Sequence, residues 1–242
     1  MKKTQKLTIE AIKSPIIQRG DDVGEILTDL LKKKKIRDGD ILVVASKVVA
    51  VAQGRIMKIE NSEAFDDLVK KEADEVIGGE QVTLTIKENI FIPWAGIDRS
   101  NIQKGYAVLW PQNPSKVAED LRESIQKTFK LKKLGIIITD SWCLPLRKGV
   151  SGITLGYSGF QGVNDLRGQK DLHGNPLKVT QQAMADNLST AAHLVMGESD
   201  DRTPFVLIRN APVVFTNKKQ NPHELSMKKE ECLFSPLYKI FR

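Results

Sequence analysis

The chain has 242 residues, a net charge of +7, two cysteines and three histidines. Cysteines this far apart, with no C-x-x-C pair, argue against a disulfide scaffold and a structural zinc cage. No run reaches the about 18 apolar residues of a membrane span, and the opening MKKTQKLTIEAIKSP lacks the apolar centre of a signal peptide, so a cytoplasmic chain with no membrane partner is expected.

In chain order, LTIEAI (7–12) reads as a strand. GDD (20–22) caps a helix through about Lys33, with Val23, Ile26, Leu27, Leu30 and Leu31 on one face. GDILVVAS (39–46) has strand length and composition, and a shorter strand, RIMKI, follows Gly54. Residues 62–77 read as a helix ended by the pair Gly78-Gly79. VTLTI (82–86) and the mixed stretch 89–101 come next, then an amphipathic helix over 114–130 with Ser115 as N-cap. GIIITDS (135–141) is an apolar strand that runs into a carboxylate and a hydroxyl. The glycine-rich stretch 149–177 reads as loops around one strand, GITLGYSG. Residues 179–196 give the strongest helical pattern, ended by Gly197, and PFVLIRN a last strand. Alternating helices and strands without a linker or a repeat predict one mixed α/β (α+β) domain over 1–242, with a polar tail over 210–242.

Lysine clusters at 32–35 and 127–133 fall at helix C-termini, where cations suit the helix dipole. Aromatic residues are not interleaved with them, so no nucleic-acid partner is expected. A positive balance suits an anionic small substrate. There is no GxxxxGK[ST] pattern, no GxGxxG and no G-x-S-x-G.

Three polar segments interrupt apolar chain: AGIDRSN (95–101), TDS (139–141) and MGESDDRTP (196–204). Each sets a carboxylate (Asp98, Asp140, Glu198) beside a hydroxyl or amide (Ser100, Asn101, Ser141, Thr203). Oxygen-only donors suit a hard cation; caps and Asx-turns use the same residues. Cys143 has no histidine near it in sequence, and His193 on the Ala-rich helix reads as a packed or surface residue.

These segments, with GDD (20–22), DGDILVVASKVVAVAQGR (38–55), PLRKGVSGITLGYSGFQGVNDLRGQKDLHG (145–174) and VTQQAMADNLSTAAHLVMGES (179–199), resemble the coenzyme F-420-0:L-glutamate ligase family over about 7–209. The resemblance implies an α/β fold unrelated to P-loop enzymes, an intertwined homodimer, and a nucleoside triphosphate-dependent ligase that joins L-glutamate to a small-molecule acid through an acyl phosphate. It implies a divalent metal, magnesium or manganese, on Asp98, Asp140 and Ser141, with potassium as a further candidate ion. It places the nucleotide, ATP or GTP, on Ser14, Pro15, Ile16, Ile17, Ser46, Asn101, Met196, Gly197, Glu198 and Thr203. Asp140 and Arg147 are its expected catalytic residues, Arg147 as a bidentate grip on phosphate or carboxylate.

The chain departs from the family at Val51, where the deazaflavin ligases usually carry lysine; Lys47, four residues earlier, would share that face of a helix. Trp94 stands where asparagine is common, and the 196–203 loop carries fewer glycines. LTIKENIFIPWAGIDRSN and YAVLWPQNP look closer to a bacterial branch proposed to glutamylate folates. A folate-type acid is therefore the expected substrate, with Trp94 as a flat wall for its ring; the deazaflavin precursor is the alternative. A nucleotide- or metal-binding relative without turnover is the competing class.

Overall fold

The computed structural model describes residues 6–219 and 224–236. Its elements are β1 (Thr8–Ile12), α1 (Val23–Leu31), β2 (Asp40–Ala45), α2 (Ser46–Ala52), β3 (Ile56–Lys58), α3 (Ser62–Glu72), β4 (Glu75–Gly78), β5 (Leu84–Lys87), β6 (Ile90–Pro93), β7 (Tyr106–Val108), α4 (Pro114–Phe129), β8 (Leu134–Cys143), β9 (Val150–Ser158), β10 (Val163–Asp165), β11 (Gln181–Ala183), α5 (Met184–Met196) and β12 (Phe205–Arg209).

A five-stranded sheet, ordered β1-β12-β2-β8-β9, forms the centre. Only β2 and β8 run parallel; the other neighbours are antiparallel. Side chains alternate across these strands. Leu42, Val44, Ile136 and Ile138 pack with α1 and α4 on one face. Ile41, Val43 and Ile137 pack with α5 on the other. A strand covered on both faces has no wet side, which is why 41–44 and 136–138 are unbroken apolar runs.

A smaller part of the chain leans on this sandwich: the sheets β4-β5-β6 and β3-β7, with α3 packing Phe65, Leu68 and Val69 against Ile97, Ala107 and Leu109. Glu72 near the end of α3 ties it together. Its Oε2 takes hydrogen bonds from Arg55 and from Lys87 on β5, each at 2.7 Å.

Several boundaries differ from the sequence reading. The helix expected over 62–77 stops at Glu72, and Glu75–Gly78 is strand β4, because its β-branched residues find a partner in β5. Gly78 and Gly79 end that strand instead of a helix. The helix expected from 179 starts at Met184, since 181–183 pair with β10. At α4 the N-cap is Asn113, with Pro114 just inside and no side-chain cap bond, so Ser115 is not the cap. Elements with no counterpart are α2, to which the sequence reading gave no element of its own, β6 inside the mixed stretch 89–101, and the three-residue strands β7 and β10.

Candidate active site

β2 and β8 lie side by side and parallel, with Ala45 opposite Thr139. Their C-terminal ends therefore open at one edge of the sheet, the place where open α/β sheets hold ligands. Ser46 and Lys47 begin α2 at the first end, and Asp140 and Ser141 continue β8 at the second.

A third piece comes from the turn before Asp98. Trp94, Ala95 and Gly96 all have positive φ, at 52°, 54° and 71°. Such backbone costs energy for residues with a Cβ and persists only when pinned. Here Trp94 N–H donates to Thr83 O at 2.8 Å, and Ala95 N–H to the buried Thr85 Oγ1 at 2.9 Å. At Gly96 a Cβ would lie 2.2 Å from Trp110 Nε1, so only glycine lets that indole lie here. The turn delivers Asp98, held by a two-way backbone bridge to Val108.

The three pieces meet through side chains. Lys47 Nζ lies 2.5 Å from Asp98 Oδ2 and 2.8 Å from Ser100 Oγ. Ser100 N–H donates to Asp98 Oδ1 at 2.6 Å. Burial alone would raise the Asp98 carboxyl, but Lys47 and Ser100 outweigh it and hold the group below the usual carboxylate range. Asp140 has no such cation. Its Oδ2 takes the indole N–H of Trp110 at 2.5 Å, and the Ser46 hydroxyl and Ser141 N–H also face it. These donors do not offset burial, and the nearby Asp98 charge adds to it, so Asp140 is pushed up to about 6.

The 196–203 loop closes the other side. Ser141 Oγ donates to Glu198 Oε2 at 3.1 Å, and Asn101 Nδ2 donates to Ser199 O at 2.8 Å. Ser14 N–H donates to Arg202 O at 2.9 Å, and Thr203 Oγ1 donates to Met196 O. Gly197 has φ 78°, and a Cβ on it would sit 2.1 Å from Asp201 Oδ2. Ser14, Ser46, Lys47, Asp98, Asn101, Asp140, Ser141, Gly197, Glu198 and Thr203 are thus drawn to one edge of the sheet. Pro15 lies beside Ser14, and Ile16 is exposed next to it. The side chains of Ile17 and Met196 do not face this edge; they are buried in the two main cores. Arg147 is not joined to the cluster. It sits in the exposed β8–β9 turn, and among the described residues its side chain forms no hydrogen bond or ion pair.

Three residues of the cluster were given no role in the site by the sequence reading. Trp110 is one, since only the fold brings it 30 positions back to Asp140. Thr139 and His193 are the others: Thr139 Oγ1 lies 3.2 Å from His193 Nε2, and His193 Nδ1 lies 3.1 Å from Glu198 Oε1. His193, expected to be a packed or surface residue, is largely buried and packs into the cluster. Cys143 is exposed at the far end of β8, three residues beyond Asp140.

The side chains of Asp98, Asp140 and Ser141 offer only oxygen ligands, which suit a hard divalent cation. Among the described residues no three His, Cys, Asp or Glu side chains form a ready metal cage. Two carboxylates that repel each other, Asp98 and Asp140, with Ser141 beside them, are a set that would hold such a cation. Trp94 does not line this site: it packs edge-on against Phe65, ring centroids 6.1 Å apart, beside the α3 core.

Residues 11–210 match the family model described as F420-0:Gamma-glutamyl ligase. A coenzyme F420:L-glutamate ligase of Methanocaldococcus jannaschii is 36% identical, over 97% of this chain and 99% of its own. Those of Archaeoglobus fulgidus and Methanopyrus kandleri are 36% and 30% identical, over 82% and 80% of this chain and 85% and 82% of their own.

Proposed function

The chain belongs to the F420-0:gamma-glutamyl ligase family, and from that premise we propose that it joins L-glutamate, through an amide, to the carboxylic acid of a deazaflavin coenzyme precursor, driven by nucleoside triphosphate hydrolysis. The observation that carries this reading is the meeting of Asp98, Asp140, Lys47 and the 196–203 loop at the ends of two parallel strands. The names of the relatives support the deazaflavin acid.

A carboxylate does not condense with an amine unaided. An oxygen of the acid attacks the γ-phosphorus, the bond to the β-phosphate oxygen breaks, and an acyl phosphate and a nucleoside diphosphate result. The glutamate amine attacks the acyl carbon and sheds a proton, and the carbon–oxygen bond to phosphate breaks. Both partners of the first step are anions, and two unit charges about 4 Å apart repel by about 4 kcal/mol at an effective dielectric of 20. Asp98, Asp140 and Ser141 would hold magnesium or manganese, which when bound supplies positive charge to phosphate oxygens. Lys47 adds a second cation on the same edge. Ser14, Asn101 and the 196–203 loop form the rim that orients the nucleotide and limits water.

A homodimer belongs to the same proposal. Its support is the β8–β9 arm, which carries Leu144, Leu146 and Val150 exposed. The folate reading is the less supported one, because its wall, Trp94, is occupied with Phe65. The test is a competition: the deazaflavin acid, a reduced folate, glutamate, magnesium or manganese, and ATP or GTP in one tube, with products weighed. Glutamylated deazaflavin is expected to dominate. Glutamylated folate as the main product would overturn the substrate, and no glutamylated product would overturn the ligase reading.

A further inference from the structure

β9 is the last strand of the central sheet, and among the described residues its outer edge carries no partner strand. Against that edge lies a cavity of about 830 Å³, bounded by the β5–β6 turn, the first turn of α4 and the segment 225–234. Residues 153–158 line it consecutively, as a strand edge does, whereas a strand face would offer only alternate residues. Its volume is that of a site for a sizeable organic ligand. Phe91, Trp142, Tyr157 and Phe234 contribute aromatic surface to a lining that is mostly apolar.

The cavity adjoins the cluster around Asp140. Ile153, which lines it, is the cross-strand partner of Asp140, and neighbouring strands lie about 4.8 Å apart. Trp142 lies two residues beyond Asp140 and is fixed by its indole N–H to Phe91 O at 2.7 Å. Trp110 touches both: its N–H lies on Asp140, and its ring packs with Leu155, Ile153 and Trp142, which line the cavity.

We propose that this cavity takes the fused heteroaromatic ring of the acid substrate, with the carboxylate end of that molecule directed toward Asp140. The proposal rests on the ligase reading. Of the three reactants, glutamate and the triphosphate chain of the nucleotide are anions that need unpaired cations. The two lysines of the cavity do not offer them: Lys116 is paired with Asp120, and Lys219 lies 3.8 Å from Glu119. The acid and the nucleotide each carry a flat ring, which aromatic walls suit, but Ser14, Asn101 and the 196–203 loop, the rim given to the nucleotide, lie outside this lining, which leaves the acid. Asn89, Asn113 and Ser115 at the rim can meet the heteroatoms of its ring.

The test reads binding apart from turnover. The fluorescence anisotropy of a deazaflavin acid is titrated with the full chain, without nucleotide or glutamate, for wild type, Phe91→Ala and Ser115→Trp. The first removes a wall and the second fills the space, and thermal unfolding checks that both remain folded. The expected result is at least a tenfold loss of affinity in both, with the KM values for nucleotide and glutamate unchanged. Affinity equal to wild type in both folded variants would overturn the proposal, even in an enzyme that turns over. Weakened self-association with unchanged acid affinity would also overturn it, assigning the cavity to a second copy of the chain. Acid binding lost in both variants of a protein that forms no amide would uphold the cavity and remove the ligase reading.

Discussion

Asp140 shows how a single carboxylate is held ready at a cost to stability. Burial and the Asp98 charge raise it to about 6, against three hydrogen-bond donors that favour its ionised form. A carboxyl raised on folding disfavours the folded state wherever it is ionised in both states, so the cost is full above its folded value and disappears below the unfolded one. Asp140→Asn in metal-free protein is therefore expected to gain stability at pH 8, on the order of 1 kcal/mol, and to lose that gain as the pH falls to about 4. Denaturant unfolding at the two pH values checks this. A purely structural aspartate would instead be destabilised at both. Lys47 stands in the opposite position, already paired with Asp98 and Ser100. Lys47→Ala is expected to raise the KM for the triphosphate about tenfold, the loss of one charge-assisted contact, while leaving the KM for the acid unchanged. Steady-state kinetics with each substrate varied in turn separates the two.

At the scale of elements, α3 and the β4-β5-β6 sheet depend on Glu72. Burial would raise this carboxyl, but Lys87 and Arg55 hold it below its usual value. A lowered carboxyl stabilises the fold above its unfolded value, and that contribution fades as the pH falls below about 4.5 toward the folded one. Glu72→Gln leaves the largely buried Lys87 ammonium without its charge partner and is expected to cost about 3 kcal/mol at pH 7. The difference from wild type should shrink at low pH, which chemical denaturation at pH 7 and pH 3.5 would show. Elements of this kind were only partly legible in the sequence. The runs 41–44 and 136–138 announced central strands because both their faces are covered. The helix α2 was hidden because SKVVAVA is as apolar and β-branched as the strand before it, and only Gly54, at φ 72°, marks that the chain has turned. β4 was read as helix because its strand character is expressed only through pairing with β5.

At the scale of the molecule, the polar segments that broke apolar chain were the legible part of the site. The fold brings 98–101, 139–141 and 196–203 to one edge, whereas the pattern alone left caps and Asx-turns open as their reading. What supports them was not legible. Trp110 and His193 act through contacts that span from 5 to 54 positions, and no local pattern distinguishes such residues from core or surface. The cavity beside β9 was also invisible, because it arises from tertiary packing and not from a motif; Trp94, expected as an aromatic wall, packs on Phe65, while Trp142 and Phe91 line the cavity. The central claim is that the cluster of Asp98 and Asp140 is where triphosphate cleavage is coupled to amide formation. The most direct measurement is the ratio of orthophosphate released to amide formed, in wild type and in Asp98→Asn, with deazaflavin acid, glutamate, nucleotide and metal present. The account predicts a ratio close to one in wild type and loss of both products together in the variant. Amide formation at the wild-type rate in Asp98→Asn, or phosphate release with no amide in wild type, would contradict it.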